Sequence, residues 1–99
     1  MRFISFLLLF LLRGMALSAQ VRTITGIVTQ ENGETLPGVN VVVRGTTIGT
    51  ISNANGSYAL EVPINYDVLV FSYIGMVTKE IQIGSSSEIN VEMVMESYC

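Results

Sequence analysis

"ETLPGVNVVVRGTTIGTISNANGSYALEVP", Glu34 to Pro63, reads as strands and turns throughout. Pro37 fixes φ and Gly38 tolerates a reversal, so Leu36-Pro37-Gly38 predicts a bend. "VNVVVRG" then sets Val39, Val41 and Val43 on one face and Asn40, Val42 and Arg44 on the other, the alternation of a half-buried strand. "TIGTIS" is short and broken by glycine, which predicts an edge strand or a bulged segment. "NANG" supplies the next turn. "SYALEV" follows, with Tyr58, Leu60 and Val62 inward and Ser57, Ala59 and Glu61 outward.

The same pattern extends in both directions. Upstream, "RTITGIVT" alternates Ile24, Gly26 and Val28 against Thr23, Thr25, Ile27 and Thr29, and Asn32-Gly33 turns the chain. Downstream, "DVLVFSYIG" is apolar on both faces, as expected of a central strand covered on both sides or lying at a domain contact. "VTKEIQI" and "EINVEMVM" complete the set, the latter placing Ile89, Val91, Met93 and Met95 opposite Asn90, Glu92, Val94 and Glu96. No segment carries a helical stripe. Seven short strands separated by turn signals predict an all-β chain folded as a β-sandwich with Greek-key-type connections, with an edge-closed barrel as the alternative.

The N-terminus has a different character. Met1-Arg2 is a positive start, "FISFLLLFLL" from Phe3 to Leu12 is uninterruptedly apolar, and "LSA" places small residues before Gln20. This order predicts a cleaved signal peptide over residues 1–19. The apolar run is half the roughly 20 residues that a helix needs to span a bilayer. No cysteine lies near the cut, which argues against an acylated lipoprotein. Residues 20–96 form the domain, and 97–99 read as a truncated tail.

Of the 5 basic residues, Arg2 and Arg13 go with the signal, leaving 3 against 8 acidic ones, a formal charge of −5. That balance argues against nucleic acid or an anionic membrane surface as partner. With no histidine in the chain, zinc-hydrolase, Ser-His-Asp and Cys-His machinery are excluded within it. The carboxylates fall in turns or at outward positions, a solvated face rather than a catalytic pair. Cys99 stands alone and can close no internal disulfide.

Four further stretches are candidate sites. Ser52–Gly56 has the spacing of a D-x-D-x-G calcium loop, but Asn53 and Asn55 replace both carboxylates, so a plain Asn/Gly turn is the better reading. Asn55-Gly56-Ser57 is formally a glycosylation triplet and is read as turn chemistry. "RGTTIGT" lacks the lysine, spacing and helix of a phosphate loop. Phe71, Tyr73 and Met76 could form an aromatic platform, although alternating aromatics in a central strand are usually core. No catalytic, cofactor-binding or metal-binding residue is assigned, and no cofactor is expected.

Taken together, Gly26 to Val28, "LPGVNVVVRGT" (Leu36 to Thr46), "GTISNANGSYAL" (Gly49 to Leu60) and "LVFSYIGM" (Leu69 to Met76) resemble the carboxypeptidase-regulatory-like domain at the N-terminus of SusC/RagA-type TonB-linked outer membrane transporters. The likeness runs from Arg22 to about Met95. It implies a transthyretin-like (prealbumin-like) seven-stranded sandwich, non-catalytic and periplasmic, ahead of a plug and a membrane barrel that imports glycan or peptide nutrients. The partners it implies are the plug and barrel, or a surface lipoprotein, with membrane association only through the full-length transporter. Relatives usually carry acidic residues where this chain has Asn53 and Asn55. The chain is too short for a transport pore, since the smallest barrels need 8 strands of about 10 residues. A free-standing secreted or periplasmic binding module for a protein or glycan, using an edge at Thr47 to Ser52, and the accessory domain of a split metallocarboxypeptidase are the alternatives.

Overall fold

The computed structural model describes residues 20–96. The signal-peptide reading of residues 1–19 and the tail 97–99 lie outside the described residues. Seven strands follow one another: β1 (Val21–Gln30), β2 (Asn40–Val43), β3 (Gly49–Ile51), β4 (Ser57–Pro63), β5 (Val68–Ser72), β6 (Lys79–Gln82) and β7 (Val91–Met93). They form a three-stranded sheet of order β4-β1-β7 and a four-stranded sheet of order β3-β2-β5-β6. All pairings are antiparallel except β1 with β7, which is parallel.

Alternation along each strand delivers the inward set that the sequence predicts. Ile24 and Val28 from β1, Tyr58, Leu60 and Val62 from β4, and Val91 and Met93 from β7 are buried from one side. Val39, Val41, Val43, Leu69 and Phe71 meet them from the other sheet. β5 lies centrally between β2 and β6. Among the described residues its second face is not covered by another layer: Val68 and Val70 are half-buried beside their own sheet neighbours, whereas Leu69 and Phe71 are fully enclosed.

Two small residues set how the chain closes on itself. Gly26 sits where β1 passes against the segment leading into β7, and a Cβ there would fall on the Ile89 carbonyl oxygen and 2.7 Å from its carbon. That carbonyl accepts from Tyr58 Oη at 2.6 Å. The Ile27 amide, which a regular ladder would pair with the backbone, donates instead to Asn90 Oδ1 at 2.9 Å. Burial raises the Tyr58 phenol to a pKa of about 12, because the ionised form would lose water without gaining a cationic partner.

Ser52 is the second. It is buried where the chain passes from β3 towards β4, and its Oγ donates to Leu36 O at 2.8 Å while accepting from Val39 N at 2.9 Å. The hydroxyl thus satisfies one backbone group on each side of the Pro37-Gly38 bend, the Leu36 carbonyl and the Val39 amide. Ser52→Ala is expected to lower stability by about 1 to 3 kcal/mol, the cost of leaving buried polar groups unpaired. A urea midpoint equal to that of the parent chain would mean that water replaces the hydroxyl.

One sequence expectation is corrected. Met95 does not continue the inward row of Ile89, Val91 and Met93; it is 64% exposed. After Met93 the chain leaves β1 and pairs with residues 75–77 instead, so the alternation no longer refers to the same core.

Candidate interaction surfaces

The stretches weighed as chemical sites are occupied by their own backbone. In the turn at Ser52–Gly56, Asn53 Oδ1 accepts from Asn55 N at 2.9 Å and from Ser57 N at 3.0 Å. Asn53 N also donates to Ser57 O, and Gly56 N to Asn53 O. Asn53 is therefore the cap of an Asx-type turn, with its oxygen aimed at amides. In "RGTTIGT", Arg44 N donates to Val68 O and Thr46 N to Val43 O, while Ile48 N donates to Thr46 Oγ1 at 3.0 Å. The last two close the β2–β3 hairpin while the first ties it to β5, and the Arg44 side chain pairs with Glu80 across the sheet at 3.1 Å.

The Phe71, Tyr73 and Met76 group is divided. Phe71 is fully buried against Tyr58, ring centroids 5.5 Å apart in an edge-to-face arrangement at 71°. Tyr73 and Met76 lie beyond the end of β5 and are half-buried against the core.

A polar clasp that sequence reading missed joins the sheets at one end. The Arg22 guanidinium, on β1, donates to Gly84 O at 2.7 Å and to Tyr66 O at 3.0 Å, and pairs with Asp67 Oδ1 at 3.3 Å. Asp67 also receives Gln82 Nε2 at 3.0 Å and Gly84 N at 3.1 Å. The Gln82 hydrogen bond, then the Gly84 amide and Arg22, hold its carboxyl below the ordinary aspartate value despite some desolvation. A depressed folded-state pKa stabilises above the unfolded value, about 3.9, and the stabilisation is lost as pH falls through the lowered folded value. Asp67→Asn is therefore expected to be less stable than the parent chain at neutral pH, with the gap closing in acid. Denaturation midpoints that differ equally at both pH values would remove the Asp67 charge from the acid limb. Arg22 and Asp67 are separated by 45 positions, and no local spacing signals their meeting.

What remains for function is outer surface. β3 is an edge strand, as predicted, and Ile51 on it is 61% exposed. Asn40, Val42, Thr47, Gly49, Thr50 and Ile51 line a shallow groove of about 530 Å³ beside that edge. A smaller groove of about 360 Å³ runs over β1 and β7 past Ile27 and Asn90. β6 presents Lys79 and Glu80 at the opposite edge, the charged treatment that discourages strand pairing, and Lys79 Nζ donates to Glu92 O on β7. Val21 and Ile64 are exposed at other places on the surface, and at the turn after β5 Ile74 is 92% exposed.

Comparison with known proteins places this sandwich. The model of the CarboxypepD_reg-like domain matches residues 24–98. TonB-dependent receptor P3 of Formosa agariphila is 42% identical over 87 residues, which is 87% of this chain and 9% of that protein. TonB-dependent receptor SusC of Bacteroides thetaiotaomicron is 38% identical over 86 residues, covering 83% of this chain and 8% of SusC. The chain thus spans less than a tenth of the curated relatives it matches. Among solved structures, a mutant type II cohesin–X–dockerin complex from Acetivibrio cellulolyticus superposes with a TM-score of 0.59 at 16% identity, over 75% of this chain and 58% of that one. At that identity the likeness is one of fold alone. The family match over most of the chain, together with the two-sheet architecture, makes this chain a member of the CarboxypepD_reg-like domain family, in the form carried by TonB-dependent receptors.

Proposed function

We propose that the chain acts as the periplasmic, N-terminal accessory domain of a TonB-dependent outer membrane transporter for glycan or peptide nutrients, and that it is non-catalytic. Residues 1–19 are the export signal on this reading and residues 20–96 the domain. One observation carries it: 42% identity across 87% of the chain with a protein of which it makes up only 9%. Such a ratio is that of a module attached to a much larger machine. The physical character of the domain agrees, since its interior is filled by one cluster of buried side chains, as suits a packed accessory module.

Cell fractionation with intact-mass measurement tests it. The expected result is a product beginning at Gln20, recovered with the outer membrane and shielded from added protease until that membrane is permeabilised. Recovery from the cytoplasm, or with Met1 retained, would overturn it.

The exposed β3 edge favours a second reading, a free-standing binding module that adds a partner's strand alongside Gly49–Ile51. A soluble periplasmic species holding one stoichiometric partner, released by Ile51→Pro, would support that reading over the first.

A further inference from the structure

After β5 the chain turns tightly at Tyr73–Met76, with Met76 N donating to Tyr73 O at 3.0 Å. Gly75 takes φ +80° there, a conformation that a side chain resists. Residues 75–77 then run antiparallel to 94–96: Val77 N donates to Val94 O at 2.8 Å and Glu96 N to Gly75 O at 3.0 Å. Met76 and Met95 are therefore opposite each other on one face of this ribbon, and Val77 and Val94 occupy the other. Tyr73 and Met76 anchor the ribbon on the core.

Apart from the exposed Glu96 carboxylate, its outward side chains are apolar at the tip and on both faces. Ile74 is 92% exposed, Met95 64% and Val77 45%. Turn tips normally take Gly, Asn, Asp or Ser, whose side chains suit both the backbone and water, and the turns at Asn32-Gly33 and Asn53–Gly56 follow that rule. A lone exposed isoleucine would need no explanation. Three large apolar side chains on one ribbon, one of them almost fully in water at its tip, form a knob shaped to enter a recess.

We propose that this knob, Ile74 with Val77 and Met95, docks on the polypeptide that follows Glu96 in a transporter-length chain, seating in an apolar recess of the next domain. The inference rests on the proposed function. Two features select this occupant. The ribbon contains Glu96 itself, so in a transporter-length chain the polypeptide that follows is tethered at the knob, which raises its effective concentration there. The matched relatives are more than ten times longer than the segment they share with this chain, which supplies a body large enough to cover it. The acidic balance of the domain disfavours an anionic membrane as the alternative cover.

The test compares hydroxyl-radical oxidation of Met95 and Ile74 in the 99-residue chain with that in a fusion in which residues 1–96 replace the matching segment of TonB-dependent receptor P3. Oxidation of both is expected to fall several-fold in the fusion, while Ile51 on the β3 edge reacts equally in the two. Ile74→Asp should return Met95 in the fusion to the short-chain rate. The same substitution should leave the denaturation midpoint of the short chain unchanged, which separates lost docking from lost folding. Equal Met95 oxidation in chain and fusion, with the fusion in the outer membrane, overturns the docking alone. Protection of Met95 already in the short chain, with a dimer mass on sedimentation, overturns it in favour of self-association. A fusion absent from the outer membrane overturns the transporter reading and the docking with it.

Discussion

Phe71→Ala is expected to leave the domain largely unfolded at room temperature. Phe71 has no exposed surface, sits on the central strand of the four-stranded sheet, and presents its ring edge-to-face to Tyr58 of the opposite sheet. Truncation removes the transfer free energy of the ring and leaves a cavity that two sheets held by β-branched neighbours cannot close, a loss of about 3 to 5 kcal/mol. A domain of this size has about 4 to 12 kcal/mol in total, and no disulfide is available to limit the unfolded state. Tyr58→Ala should act comparably, since it deletes the other ring and leaves Ile89 O without its hydroxyl partner. Guanidinium denaturation followed by circular dichroism reads the effect. A midpoint equal to that of the parent chain would remove these rings from the core.

Gly26→Ala is the second large effect, and a less intuitive one, because it adds a single methyl group. The methyl would overlap the Ile89 carbonyl oxygen and lie 2.9 Å from Tyr58 Oη. The obstacle is backbone, and it is held from both sides: Ile89 N donates to Thr25 O at 2.8 Å, and Ile89 O accepts from Tyr58 at 2.6 Å. Room for the methyl comes only from moving the β7 segment off β1, which loses those bonds and opens the core beside Val28 and Val91. The expected cost is about 3 kcal/mol, at the upper end of what overpacking typically causes. Hydrogen exchange should show the loss concentrated at Thr25, Ile27 and Ile89 amides. Parent-like protection of those amides in the variant would mean that the segment accommodates a side chain.

These two positions illustrate what a period of two can and cannot convey. Phe71 was legible as core because it is an aromatic in an apolar run that reads as a central strand. Gly26 was legible as inward-facing, yet its reason for being glycine was not, since the atoms that require it belong to Ile89 and Tyr58, far along the chain. Asn90 was read only as the polar side of the last strand, whereas its side chain replaces a ladder acceptor for Ile27. The surface knob was hidden for a related reason. Met95 satisfies the alternation of the strand before it, and only the exchange of β1 for residues 75–77 as its partner turns it to solvent.

The amino-acid sequence by itself determined the all-β class, the number of strands and the inward face of most of them. These depend on side-chain alternation and on turn residues that act within a few positions of themselves. It also carried the family, through the glycine, proline and apolar spacings between Gly26 and Met76. Tertiary structure alone decided which strands pair and in which direction, the parallel β1–β7 contact above all. It likewise decided the Arg22–Asp67 clasp and which apolar side chains are left in water. Alternation states only which way a side chain points; what it meets there is set by segments tens of residues away, whose approach depends on the packing of both sheets at once.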